Sequence, residues 1–157
     1  MLVLSTLHNL LEQVLDPPGL HTAVLLTPEG QLVSFASHPA RSKDRIRVIV
    51  GLSASLWHET KAKGIGMVES EYGRILVLPL ENEQHIDADV GQQTAAEPVM
   101  LLALNGTVSA SWDELREKAQ ALANHLSKPI GQLHGRLVHL PAPTPSQTRS
   151  PRRQVQR

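Results

Sequence analysis

An α/β/α sandwich of the α+β type, built on a five-stranded antiparallel sheet, is the architecture to which this 157-residue chain points. Three observations carry it. Segments of helical and strand periodicity follow one another in the order α-β-β-α-β-β-β-α. The strands at 22–27 and 31–36, and those at 67–71 and 74–80, are joined by turns too short for a parallel crossover, and such consecutive hairpins imply an antiparallel sheet. Several strands are apolar on both parities, which requires cover on both faces of the sheet.

Leu4, Leu7, Leu11, Val14 and Leu15 recur every three or four residues, one apolar stripe of a helix, and Asp16-Pro17-Pro18-Gly19 stops it. Residues 22–27 read as a strand, Pro28-Glu29-Gly30 as a turn, and 31–36 as its hairpin partner. Residues 44–63 form a second helix with two apolar stripes. One holds Ile46, Ile49, Val50, Ser53 and Trp57; the other holds Val48, Leu52 and Leu56. One stripe can face the chain's own sheet, and the second needs another partner. Gly64 and Gly66 end this helix. A short charged edge strand over 67–71 and a more apolar strand over 74–80 form a second hairpin, with Pro79 breaking or ending the ladder.

Residues 81–97 carry Glu81, Glu83, Asp87, Asp89 and Glu97 but no Lys or Arg, an acidic loop expected to be mobile. Residues 98–104 supply the last strand. Ser111-x-x-Glu114 is a capping box opening a helix with Leu115, Ala119, Leu122, Ala123 and Leu126 on one face, and Lys128-Pro129 is expected to close it. The folded domain is thus expected over 1–133. Residues 134–157, rich in Pro and Arg, are expected to form a disordered tail whose final stretch can be deleted without loss of fold.

Composition and motifs exclude more than they nominate. No cysteine is present, so disulfides, thiol catalysis and cysteine metal sites are out. Fifteen basic residues balance fifteen acidic ones, a poor footprint for nucleic acid, and Phe35, Trp57, Tyr72 and Trp112 offer few stacking platforms. No apolar run reaches membrane-spanning length. The eight histidines lack metal-ligand spacing, no GxSxG elbow or Walker loop occurs, and Gly64-Ile65-Gly66 lacks the third glycine of a dinucleotide turn. No catalytic, cofactor-binding or metal-binding residue emerges, and no cofactor is expected. An interaction module is the expectation, because the second apolar stripe and the short edge strand are unfinished in a lone chain.

Four stretches resemble the roadblock/dynein-light-chain family, and most of all the roadblock subunit of the Ragulator (LAMTOR) scaffold and its fungal EGO-complex counterpart. They are Leu25-Leu26-Thr27-Pro28-Glu29-Gly30-Gln31-Leu32, Ala54-Ser55-Leu56-Trp57, Tyr72-Gly73-Arg74-Ile75, and Lys118-Ala119-Gln120-Ala121-Leu122 with Leu126, Pro129 and Ile130. The resemblance implies a nonenzymatic scaffold subunit that heterodimerises with another roadblock protein through its central helix and third strand. It further implies a lipidated partner holding the assembly on the vacuolar, lysosomal or late-endosomal membrane. There it would dock Rag-type GTPases and signal amino-acid supply to the TOR kinase. Carried onto this sequence, the interface candidates are Ile46, Ile49, Val50, Ser53 and Trp57 on the helix and Met67, Val68 and Glu69 on the edge strand, with the Leu52 and Leu56 face as the alternative. A dynein-light-chain-like cargo adaptor, or another small-GTPase regulator forming a homodimer, is the other reading.

Overall fold

A computed structural model describes residues 4–80 and 98–138; at 128 and 131–138 it describes the backbone only. The expectations for the acidic segment 81–97 and for the tail from 139 onward lie outside the described residues. The elements are α1 (Leu4–Val14), β1 (Leu20–Leu26), β2 (Leu32–Ser37), α2 (Lys43–Thr60), β3 (Gly66–Ser70), β4 (Gly73–Leu80), β5 (Met100–Gly106) and α3 (Trp112–Val138), with a 3-10 turn at Lys61–Lys63. Their order is the one expected from periodicity.

All neighbouring strands pair antiparallel, in the order β2-β1-β5-β4-β3. The last strand in sequence is therefore the middle one in space, and every residue of β1 and β5 is buried. Strand alternation divides the core into two halves. Leu102 and Leu104 join Leu25 and Leu76 on one face, covered by Leu7 and Leu11 of α1 and by Leu115, Leu122 and Leu126 of α3. Leu101 and Ala103 join Val24, Leu26, Ile75 and Val77 on the other, covered by Ile46, Ile49, Val50 and Trp57 of α2. Two helices share the first face, whereas among the described residues α2 lies alone on the second.

Two expectations about helix ends and pairing need amending. The last helix does not close at Lys128-Pro129; its backbone continues to Val138 with Pro129 inside. Proline removes one backbone donor, at a cost of roughly 3 kcal/mol in a helix interior. Leu126 and Ile130 flank it and are both buried, so the turn containing Pro129 is held by packing. At the other end of α3, Glu114 turns forward to Lys118 (3.1 Å), and Lys118 also reaches Asp16 (3.0 Å). Pro79 neither breaks nor ends β4. It pairs opposite Leu101, at a level where β3 has already stopped, opposite Val77, so among the described residues β4 has one neighbour there.

Candidate functional site

The sheet has two edges, and α1 treats one of them. It lies against β2, where His8 Nδ1 donates to the Phe35 carbonyl (2.8 Å). No strand among the described residues adjoins the outer edge of β3. Its unpaired backbone groups are a template for a further strand.

The five α2 residues nominated from the sequence do not line a free surface. Ile46, Ile49, Val50, Ser53 and Trp57 are all buried against the chain's own sheet. The stripe holding Ser53, with Ala54 beside it, is the one that can approach the sheet closely, and Ser53 is fully buried there. The second stripe is left over: Val48 and Leu52 are 38% and 37% exposed. Leu56, its third member, tucks onto β3, where Gly66 makes room; a Cβ on Gly66 would lie 2.8 Å from Leu56 Cγ.

Alternation also divides the three edge-strand candidates. Val68 pairs with Ile75 and so faces the α2 side. Met67 and Glu69 face the α3 side, opposite Leu76 and Arg74. There Arg116 Nη2 reaches Met67 Sδ (3.4 Å), and Glu69 Oε2 accepts from Arg74 Nε (3.0 Å). Arg74 also donates to the Ala110 carbonyl (2.6 Å) and stacks 5.0 Å from the Trp112 ring, tying β4 to the start of α3. Since Leu56 meets Gly66, one helical turn back places Leu52 about 6 Å away, level with Val68 two strand residues on. Val48, Leu52, Val68 and the open β3 edge thus form one apolar rim.

A second feature, which the sequence reading missed, lies at the start of β1. His21 is 4% exposed, with Nδ1 2.8 Å from Thr22 Oγ1. Burial, helped by Arg41, Arg45 and His38, lowers its pKa to about 4. The ring is therefore neutral in the folded chain, while the unfolded chain binds a proton below its ordinary 6.5. His21 thus contributes stability above pH 6.5, loses it as pH falls toward 4, and changes nothing below that. Urea melts are expected to show a loss of roughly 2 kcal/mol from pH 7 to pH 5, absent from His21→Asn. The same loss in both proteins would assign it elsewhere.

Among the described residues, no three His, Asp or Glu side chains gather as metal ligands, and no helix is long and apolar enough to cross a membrane. Among the described residues the geometry defines a sandwich domain with one free strand edge and one uncovered apolar helix stripe. Its fold is that of Roadblock/LC7 domains. A Roadblock/LC7 domain from Streptomyces avermitilis superposes with a TM-score of 0.55 at 17% identity, covering 78% of this chain and 96% of that one. The gliding protein MglB of Thermus thermophilus gives 0.53 at 16% identity, covering 80% and 87%. MglB of Myxococcus xanthus gives 0.52 at 13% identity, covering 82% and 97%. No family model matches the chain, and no curated protein is similar to it in sequence.

Proposed function

We propose that this chain is a non-catalytic pairing module. It joins a second roadblock-fold chain through the Val48–Leu52–Val68 rim and the β3 edge, and the pair works with a small GTPase. The observation that carries the pairing is that, among the described residues, the β3 edge is open beside a helix that lies alone on its face. Joining two such edges continues the sheet across the pair, and a partner's helix beside α2 covers Val48 and Leu52. The GTPase role rests on the family resemblance.

In its narrower form the proposal is a Ragulator/EGO-type subunit. The partner is then a different roadblock protein, a lipidated scaffold subunit holds the assembly on the cytoplasmic face of the vacuole or lysosome, and Rag-type GTPases dock there. The Ala54–Trp57 and Lys118–Leu122 stretches support this form. Self-association, as in a dynein-light-chain-like adaptor or another GTPase regulator, is favoured by a similar MglB structure that has a tetrameric arrangement.

Light scattering after size exclusion decides between them. A one-to-one complex with another roadblock chain, formed from a monomer, is expected for the Ragulator form, and a stable homodimer for the other. A chain that stays monomeric at high concentration and binds no roadblock protein would overturn the proposal.

A further inference from the structure

At the N-terminal end of α2, away from Gly66, the surface opens into a cleft of about 540 Å³ lined by His21, His38, Arg41, Ser42, Arg45 and Thr107, with two prolines and an alanine completing the wall. Among the described residues no lining residue is acidic, and Asp44 of the first turn of α2 does not line the cleft. Among the described residues neither Arg41 nor Arg45 has a carboxylate partner. Arg45 lies 6.0 Å over the Tyr72 ring. Arg45 lies in the first turn of the 18-residue α2 and Arg41 just before its N-cap, Ser42; cations there oppose the helix dipole, and a bound anion would offset them.

His21 supplies a separate observation. It is the residue at which β1 slips register against β5, between Leu20 paired with Gly106 and Thr22 paired with Asn105. Such bulges re-aim a side chain. This one turns a nearly buried imidazole into the cleft wall. Thr22 occupies Nδ1, and Nε2 has no hydrogen bond among the described residues. In the tautomer in which the Thr22 hydroxyl donates to Nδ1, the neutral ring carries its proton on Nε2 and donates without charging. His38 is set the same way: its Nδ1 accepts from Ala40 N–H (3.3 Å), which leaves Nε2–H free.

We propose that this cleft binds the phosphate group of a small phosphate ester, seated between Arg41, Arg45 and His21 Nε2 at the start of α2. Donors converging from a strand, a loop and a helix end suit a tetrahedral group with three acceptor oxygens better than a planar carboxylate. Two arginine forks supply the charge-assisted bonds. The volume exceeds that of phosphate alone and leaves room for the group that carries it. Nothing here depends on how the chain pairs, because the cleft uses the first turn of α2 and not the Leu52–Val68 rim.

The test is NMR titration of the full chain at fixed ionic strength, following the His21 and His38 rings and the amides of residues 41–45. The probes are inorganic phosphate and pyrophosphate, with sulfate and acetate for comparison. Saturable shifts confined to those groups are expected with the phosphates. Arg41→Gln and Arg45→Gln should each weaken binding about tenfold or more while melting like the parent. Co-sedimentation with phosphoinositide vesicles, lost in the double variant, would identify the ester as a lipid headgroup. Phosphate binding without vesicle binding would identify a soluble ester. Non-saturating shifts that follow ionic strength, unchanged affinity in both variants, or acetate matching phosphate would each overturn the proposal; the last would assign the cleft to carboxylates, such as an acidic protein segment.

Discussion

Trp57→Asp is expected to unfold the chain, whereas Leu52→Asp is expected to leave it folded and to separate the proposed pair. Both residues sit on α2, five positions apart, and both are apolar. Trp57 is 5% exposed and packs with Ile46, Ile49, Val77 and Leu101 against the sheet. Removing a buried tryptophan costs about 3–5 kcal/mol, and an unpaired carboxylate in its place adds desolvation. That approaches the whole stability of a domain, about 5–15 kcal/mol. Leu52 is 37% exposed in the lone chain. An aspartate there stays hydrated until a partner arrives, so the expected loss of fold stability is about 1–2 kcal/mol, from the part of Leu52 that is buried and the lower helix propensity of aspartate. In the pair it becomes a desolvated charge without a counter-ion, at a cost of about 3–5 kcal/mol, a hundredfold or more in affinity. Circular-dichroism melts and light scattering on the two variants separate the effects. If Leu52→Asp pairs as tightly as the parent, the rim is not the pairing surface. If Trp57→Asp melts like the parent but no longer pairs, the sequence assignment of Trp57 to the interface stands after all.

That reversal shows what periodicity can and cannot decide. It gave the helices and strands in their observed order, though not the end of α3, because helical spacing follows from backbone geometry and short apolar runs between turn residues mark buried strands. It also revealed that α2 has two apolar stripes. It could not say which faces inward, since Val48 and Leu52 are as hydrophobic as Ile49 and Val50. The deciding features are steric: the stripe that turned inward holds Ser53 with Ala54 at its side, and Leu56 of the other settles over Gly66. Edge-strand residues divide for a similar reason. Met67, Val68 and Glu69 are consecutive, so a strand must send them to alternate faces. The His21 cleft left no trace in the local pattern. A bulge is a property of pairing between β1 and β5, which lie about eighty residues apart in sequence. Pro129 misled in the opposite sense, as a strong local stop signal outweighed by the burial of Ile130 just beyond it.

Gly73→Ala is expected to lower stability by roughly 3–5 kcal/mol, enough to shift the melting midpoint by about 10 °C or more. Gly73 has φ of +96° where the β3–β4 turn enters β4. A side chain there is strained by about 1–2 kcal/mol whatever the space. There is also no space: the added Cβ would overlap the Gly106 carbonyl oxygen of β5. The turn must then lift from β5, and it carries the bonds that satisfy a buried polar group. Asn105 is 3% exposed and donates to the carbonyls of Tyr72 (3.0 Å) and Arg74 (3.2 Å) on either side of Gly73. Losing them leaves a buried amide unpaired, for about 1–3 kcal/mol more. Gly64→Ala is the internal control. Gly64 also has positive φ, +78°, but nothing lies within 4 Å of its Cβ position, so only the backbone strain applies. Because β3 hangs on this turn, Gly73→Ala should weaken pairing at temperatures where the rest of the sheet still holds, whereas Gly64→Ala should not. Equal, small losses for the two glycines would mean that the β3 edge is not held in register by the contact between Gly73 and Gly106. The pairing surface would then have to be rebuilt from α2 alone.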